Sequence, residues 1–159
     1  MGGENDGAER RAALDVVDRA LVQALREDGR ATLATLAGIT GLSQSAVQAR
    51  VRKLEARGVI AGYRAVVDPE AVGLPITAFV EITPLDQSQA DDAPERLLDV
   101  PGIEACYSVA GNANYLLLVR VPSPSALEDL LGVIRREASV STRSTIVLRT
   151  YFDGRPVTP

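Results

Sequence analysis

Residues 33–54 read LATLAGITGLSQSAVQARVRKL, two helical repeats on either side of a glycine. Leu33, Leu36 and Ala37 fall on the inner face of the first helix, and Val47, Val51 and Leu54 on that of the second. Gly41 lies between them, where a sharp bend suits a residue without a Cβ. The spacing Ala37, Gly41, Val47 is that of a DNA-binding helix-turn-helix: a small residue admits the second helix, the glycine turns the corner and the valine plugs the junction. An ordinary helical hairpin could carry the same apolar pattern, so the outward face has to decide. That face presents Gln44, Ser45, Gln48, Arg50, Arg52 and Lys53, the side-chain types that bond to base edges and phosphates. Ser43 is placed to cap the second helix and aim its first amides outward, where a phosphate can use them.

A formal charge of −4 argues against nucleic acid only as an average. Residues 43–64 carry Arg50, Arg52, Lys53, Arg57 and Arg64 against Glu55 alone, while Glu81, Asp86, Asp91, Asp92, Glu95 and Asp99 hold the acidity elsewhere. A local basic face is what phosphate binding needs, because exposed charges more than about 10 Å away are largely screened.

Upstream, residues 1–13 are polar and Gly-rich and read as a disordered tail. Val17, Leu21, Ala24 and Leu25 then recur at helical spacing, with Asp15 as cap or Asp18 in the first turn, and Gly29 ends the helix. This helix is the third wall of a small trihelical core, so residues 14–60 form one domain. From Val59 to Val67 the text is extended and partly alternating, which predicts a wing, and Gly73-Leu74-Pro75 reads as a hinge closing a 61–75 connection.

The remainder, 76–152, runs strand, helix, strand, strand, helix, strand. The strands expected are 76–83, 102–110, 114–122 and 144–152, with a first helix over Pro94–Leu98. Leu127, Leu130, Leu131 and Ile134 stripe the second helix. Two such halves make a four-stranded antiparallel sheet with both helices on one face, an α+β chain overall, and residues 153–159 are left as a tail. Because 114–122 is apolar on both sides, the bare sheet face implies a partner, most cheaply a second copy.

Several classes are excluded. With no His and one cysteine, Cys106, a zinc, nickel or copper site would rely almost wholly on carboxylates, which select those metals poorly, His-based catalysis has no base, and Cys106 itself reads as a buried strand thiol. No phosphate-binding glycine loop or convergent acid pair suggests an enzyme, and no metal or cofactor is expected. No run approaches the length of a membrane helix and the start is not a signal sequence, so a cytoplasmic, nucleoid-associated protein is expected.

LDVVDRALVQAL (14–25), GLSQSAVQARVRKLEARGVI (41–60), AGYRAVVDPEAVG (61–73), AFV (78–80), PGIEACYSVAGNANYLL (101–117) and TRSTIVL (142–148) together give the chain a family likeness. It resembles the Lrp/AsnC, or feast/famine, transcription regulators across essentially all of residues 14–152. The resemblance implies an N-terminal winged helix-turn-helix that binds double-stranded DNA and a C-terminal ferredoxin-like βαββαβ domain. It further implies homodimers that assemble to octamers and an amino-acid effector bound where dimers meet. The positions it assigns to that site are Gly102 and Ile103, the turn residues Gly111, Asn112 and Asn114, and Thr142 with Ser144. Relatives often read G-D-x-D-Y at the turn; here Gly111-Asn112-Ala113-Asn114-Tyr115 replaces both acids with amides. Either a charge-assisted bond to the effector's ammonium is lost, or the asparagines serve a tight hairpin. The function implied is sequence-specific, effector-responsive regulation; the alternative is an architectural protein that wraps DNA without a ligand.

Overall fold

The computed structural model describes residues 14–86, 88 and 92–155, so the expected tail over 1–13, Asp91 and the end of the 153–159 tail lie outside the described residues. The chain divides into two compact units, one running to Val66 and taking in the stretch from Gly154, and one spanning Val67–Asp153.

In the first unit each helix begins on a side-chain oxygen. Asp15 accepts from Asp18 N at 2.7 Å to start α1 (Val16–Glu27), Thr32 from Thr35 N at 3.1 Å to start α2 (Leu33–Thr40), and Ser43 from Ala46 N at 3.2 Å to start α3 (Gln44–Ala56). α1 stops two residues before Gly29, on Asp28. Gly41 caps α2 at φ +70°, its N–H donating to Ala37 O at 2.8 Å, the left-handed ending that a Cβ would oppose. Leu21, Leu36, Val47 and Leu54 are buried at the centre, and Leu33, Ala37 and Val51 pack against them. The plug residue Val47 is fully buried.

The expected wing is corrected: residues 61–68 form neither helix nor strand, and no strand is present in the first unit among the described residues. A strand is defined by its hydrogen-bonded neighbour, and none of the described residues forms a strand ladder with this passage; Val66 is 98% exposed. At the expected 73–75 hinge, Leu74 N donates to Pro69 O at 2.8 Å and Gly73 N to Glu70 O at 3.0 Å, closing a turn before Ile76.

The second unit is β1 (Ile76–Pro84), α4 (Ala93–Leu97), β2 (Ile103–Ser108), β3 (Tyr115–Val121), α5 (Pro124–Ala138) and β4 (Val140–Ile146), a βαββαβ order. The sheet is antiparallel throughout, in the order β2-β3-β1-β4. Ala78, Val80, Ile82, Leu117 and Val119 line one face and pack with Leu127, Leu130 and Ile134 of α5 and Leu97 of α4. Ser123 caps α5 and Pro124 supplies its first turn. The other face holds Phe79, Thr145, Leu116, Leu118 and Tyr107, paired across the strands.

Three expectations need correction here. α4 lies one residue earlier than read, and Leu98 is exposed. β4 starts four residues sooner than 144 and ends at Ile146, not 152. Its partner runs out: Ala78 pairs with Ile146, so residue 149 would face Pro75, which has no N–H to give. Leu148 and Tyr151, the apolar letters that prompted the longer strand, are 97% and 82% exposed. Finally Cys106 is exposed, not buried. It sits opposite Leu117, on the helix side of the sheet, but β2 is an outer strand.

Candidate DNA-binding face and candidate effector site

With Val47 and Leu54 buried, the helical period leaves the opposite side of α3 in water. Gln44, Ser45, Gln48, Arg52 and Lys53 are all exposed there. Gln44, Gln48, Arg52 and Lys53 carry no side-chain hydrogen bond or ion pair among the described residues. Ser43 has its hydroxyl engaged as the cap and 3.1 Å from Ser45 Oγ, so its contribution is to the shape of the turn. The face thus offers two amides, a hydroxyl and two long cations, acceptors and donors for base edges beside charge for phosphates.

Arg50 departs from that set. Its Nη1 donates to Asp15 Oδ2 at 2.6 Å and to Asp18 Oδ1 at 2.8 Å, which holds it against α1. The cap bond from Asp18 N and then Arg50 keep the Asp15 carboxyl below the usual carboxylate range, and the two acids push the Arg50 guanidinium up. A second feature that sequence reasoning missed is Tyr63, whose OH donates to Glu55 Oε1 at 2.9 Å; partial burial, then Glu55, raises its pKa. Both bonds join residues that no local pattern connects.

The expected effector residues do not form one group in a single chain. Gly111 to Asn114 turn the β2–β3 hairpin, with Val109 N donating to Asn114 O and Asn114 N to Ile82 O, each at 3.1 Å. Thr142 pairs with Ile82, so it stands at that same end of the sheet, where Arg135 Nη1 reaches its Oγ1 at 3.3 Å, and Ser144 is exposed two residues along β4. Ile103 instead pairs with Val119, four positions along β3 from Tyr115, or about 13 Å at strand rise. Gly102 has a packing reason for its identity: at φ +91° a Cβ would come within 3.3 Å of Arg120 O and 3.2 Å of Leu130 Cδ2.

Around the hairpin turn lies an open concavity of about 380 Å³ lined by Ser108, Val109, Ala110, Gly111, Ala113, Asn114 and Tyr115. It takes in Gly111 and Asn114 of the expected set and leaves out Asn112. Hydroxyl and amide groups line it without a carboxylate, so it can hydrogen-bond a small polar ligand but offers no negative charge. No group of three His, Cys, Asp or Glu able to hold a metal occurs among the described residues, and no helix there is long and apolar enough to cross a membrane.

Comparison with known proteins matches residues 14–55 to the AsnC-type helix-turn-helix domain and residues 77–157 to the Lrp/AsnC ligand binding domain. The HTH-type transcriptional regulator LrpA of Mycobacterium tuberculosis is 60% identical over 147 residues, 92% of this chain and 98% of that protein. A feast or famine regulatory protein of M. tuberculosis solved in complex with L-methionine has a TM-score of 0.91 at 60% identity, covering 92% of this chain and 100% of that one. A Neisseria meningitidis transcriptional regulator in complex with L-methionine has a TM-score of 0.79 at 26% identity, over 91% of this chain and 97% of its own. Both units match in chain order, one carrying an exposed recognition helix and the other a one-sided sheet, and the chain belongs to the Lrp/AsnC family of helix-turn-helix transcriptional regulators.

Proposed function

We propose that this regulator reads DNA with the exposed side of α3 and that a free amino acid bound by its second unit alters its DNA affinity or its assembly. The carrying observation is the α3 surface, where Gln44, Ser45, Gln48, Arg52 and Lys53 face water opposite the buried Val47 and Leu54. Gln44, Ser45 and Gln48 are assigned to base edges, near the helix end that enters the major groove, and Arg52 and Lys53 to phosphates. The L-methionine complexes of the similar proteins support an amino acid as the effector class. Its site is proposed at contacts between copies: Gly102 with Ile103 and the turn with Thr142 and Ser144 lie at separate places in one chain, so only assembly would bring them to one ligand. The open sheet face, with Phe79 39% and Tyr107 53% exposed, supports pairing of copies into dimers, which then associate to octamers on the nucleoid in the cytoplasm.

The test is a panel of free amino acids beginning with L-methionine, read by thermal shift, sedimentation velocity and DNA affinity. A ligand held only by the folded state raises the melting midpoint, and by linkage DNA must change its affinity in return. DNA binding with no midpoint shift and no change in assembly for any amino acid would instead favour the ligand-independent architectural reading.

A further inference from the structure

Arg50 lies on the same helix as the base-reading side chains yet points to α1. One nitrogen, Nη1, serves both Asp15 Oδ2 and Asp18 Oδ1, while Asp15 Oδ1 caps α1 through Asp18 N. The two carboxylates and the guanidinium therefore form one unit at the start of α1, joined to the middle of α3. The Asp18 side chain is only 14% exposed, so its bond is the less screened of the two.

Leu21 of α1 and Val47 and Leu54 of α3 also share one apolar cluster. Apolar contact is non-directional and resists separation more than it resists a helix rolling about its own axis. A charge-assisted hydrogen bond is directional and resists the roll. Side-chain tips stand about 5–6 Å from a helix axis, so a roll of about 10° carries them about 1 Å. That is enough to spoil the paired bonds by which a glutamine amide reads a base edge.

We propose that Arg50 is a positioning residue for base recognition: anchored on Asp15 and Asp18, it sets the roll of α3 so that Gln44, Ser45 and Gln48 meet base edges, and it makes no phosphate contact itself. This deepens the reading of the α3 face given above and rests on it. Selection from random DNA with Gln48→Ala checks that face separately, since its preferred site changes only if α3 reads bases.

The experiment uses the full chain and a duplex recovered by selection with the wild type, at a temperature where melting curves show every variant folded. Arg50→Met keeps most of the side-chain stem and removes the charge; Asp18→Asn removes a partner and leaves the cation. Both are expected to weaken the selected site about fivefold or more, the loss of one base contact, with random-sequence affinity and the slope of log affinity against log salt unchanged. Arg52→Ala is the contrasting control, expected to weaken all sequences alike and lower the slope by about 1. A slope lowered by about 1 in Arg50→Met would overturn the proposal, as would tighter binding by Asp18→Asn, in which a released cation has joined the phosphates. If Arg50→Met does not fold, the exchanged pair Arg50→Glu with Asp18→Arg decides: recovery of the wild-type ratio of selected-site to random-sequence affinity supports positioning, and a folded pair that does not recover it overturns the idea.

Discussion

The two units use burial in opposite ways. In the first, Leu21, Leu36, Val47 and Leu54 are the buried core, three helices close around them, and the working surface is the far side of one of those helices. In the second, 13 buried residues among those described fill one side of a sheet, and the other side is left open with Phe79, Leu116, Leu118 and Tyr107 on it. A small trihelical core is finished within the chain and leaves the proposed reading face of α3 in water. A sheet covered on one side is unfinished, and its candidate site lies at strand ends and a turn. A surface carried by a single helix can be complete in one chain; the proposed effector residues lie at strand ends that a single chain keeps apart.

The largest expected effect attacks the smaller core. Leu54→Ala, at 1% exposure, should cost about 2–5 kcal/mol and, with so few other buried side chains, open the first unit alone. Native-state hydrogen exchange should show lost protection in α1–α3 with β1–β4 unchanged; equal loss in both would mean that the units unfold as one.

Next comes the open face. Leu118→Lys places a charge opposite Phe79 at a half-buried position on the open sheet face, so the fold should persist while association fails. Sedimentation velocity reads the outcome directly, and an unchanged sedimentation coefficient would take this face out of the dimer.

On the other unit, Gln48→Ala should change base preference by about 1–3 kcal/mol at one position per half-site. The same enriched sequence for mutant and wild type would leave Gln48 outside the groove.

The smallest effect concerns acid. Asp15 has its folded pKa lowered from the model-compound value of 3.8, so its contribution is present above the unfolded value and is lost as pH falls through the lower folded one. The stability difference between wild type and Asp15→Asn should therefore hold at neutral pH and shrink below about pH 4. A difference that grows on acidification would contradict the sign. Exposure to solvent keeps the effect small.

Helix positions were legible in the chain because caps and periodicity are local. Asp15 and Ser43, read as caps, each take an amide three residues on, Thr32 and Ser123 do the same in the structure, and the buried α5 positions Leu127, Leu130 and Ile134 repeat at helical spacing. Strand ends were less legible, because they depend on what lies alongside. β4 carries Ser141, Thr142, Arg143 and Ser144 into the sheet on the strength of the β1 register, while the apolar Leu148 and Tyr151 lie past its end. The 61–68 passage has strand-like letters but no strand ladder among the described residues, so it forms no strand.

From sequence alone came the helix-turn-helix and the βαββαβ order, which rest on spacing within an element and on the order of elements, and the family, which rests on the likeness of whole stretches of residues 14–152. Tertiary structure decided what depends on distant neighbours. It turned Arg50 to Asp15 and Asp18, tied Tyr63 to Glu55, put Cys106 on an exposed outer strand, and set Ile103 four register positions from the hairpin end. A side chain's partner is fixed by which elements pack together, and residues 32 or 35 apart carry no local signal that they will meet.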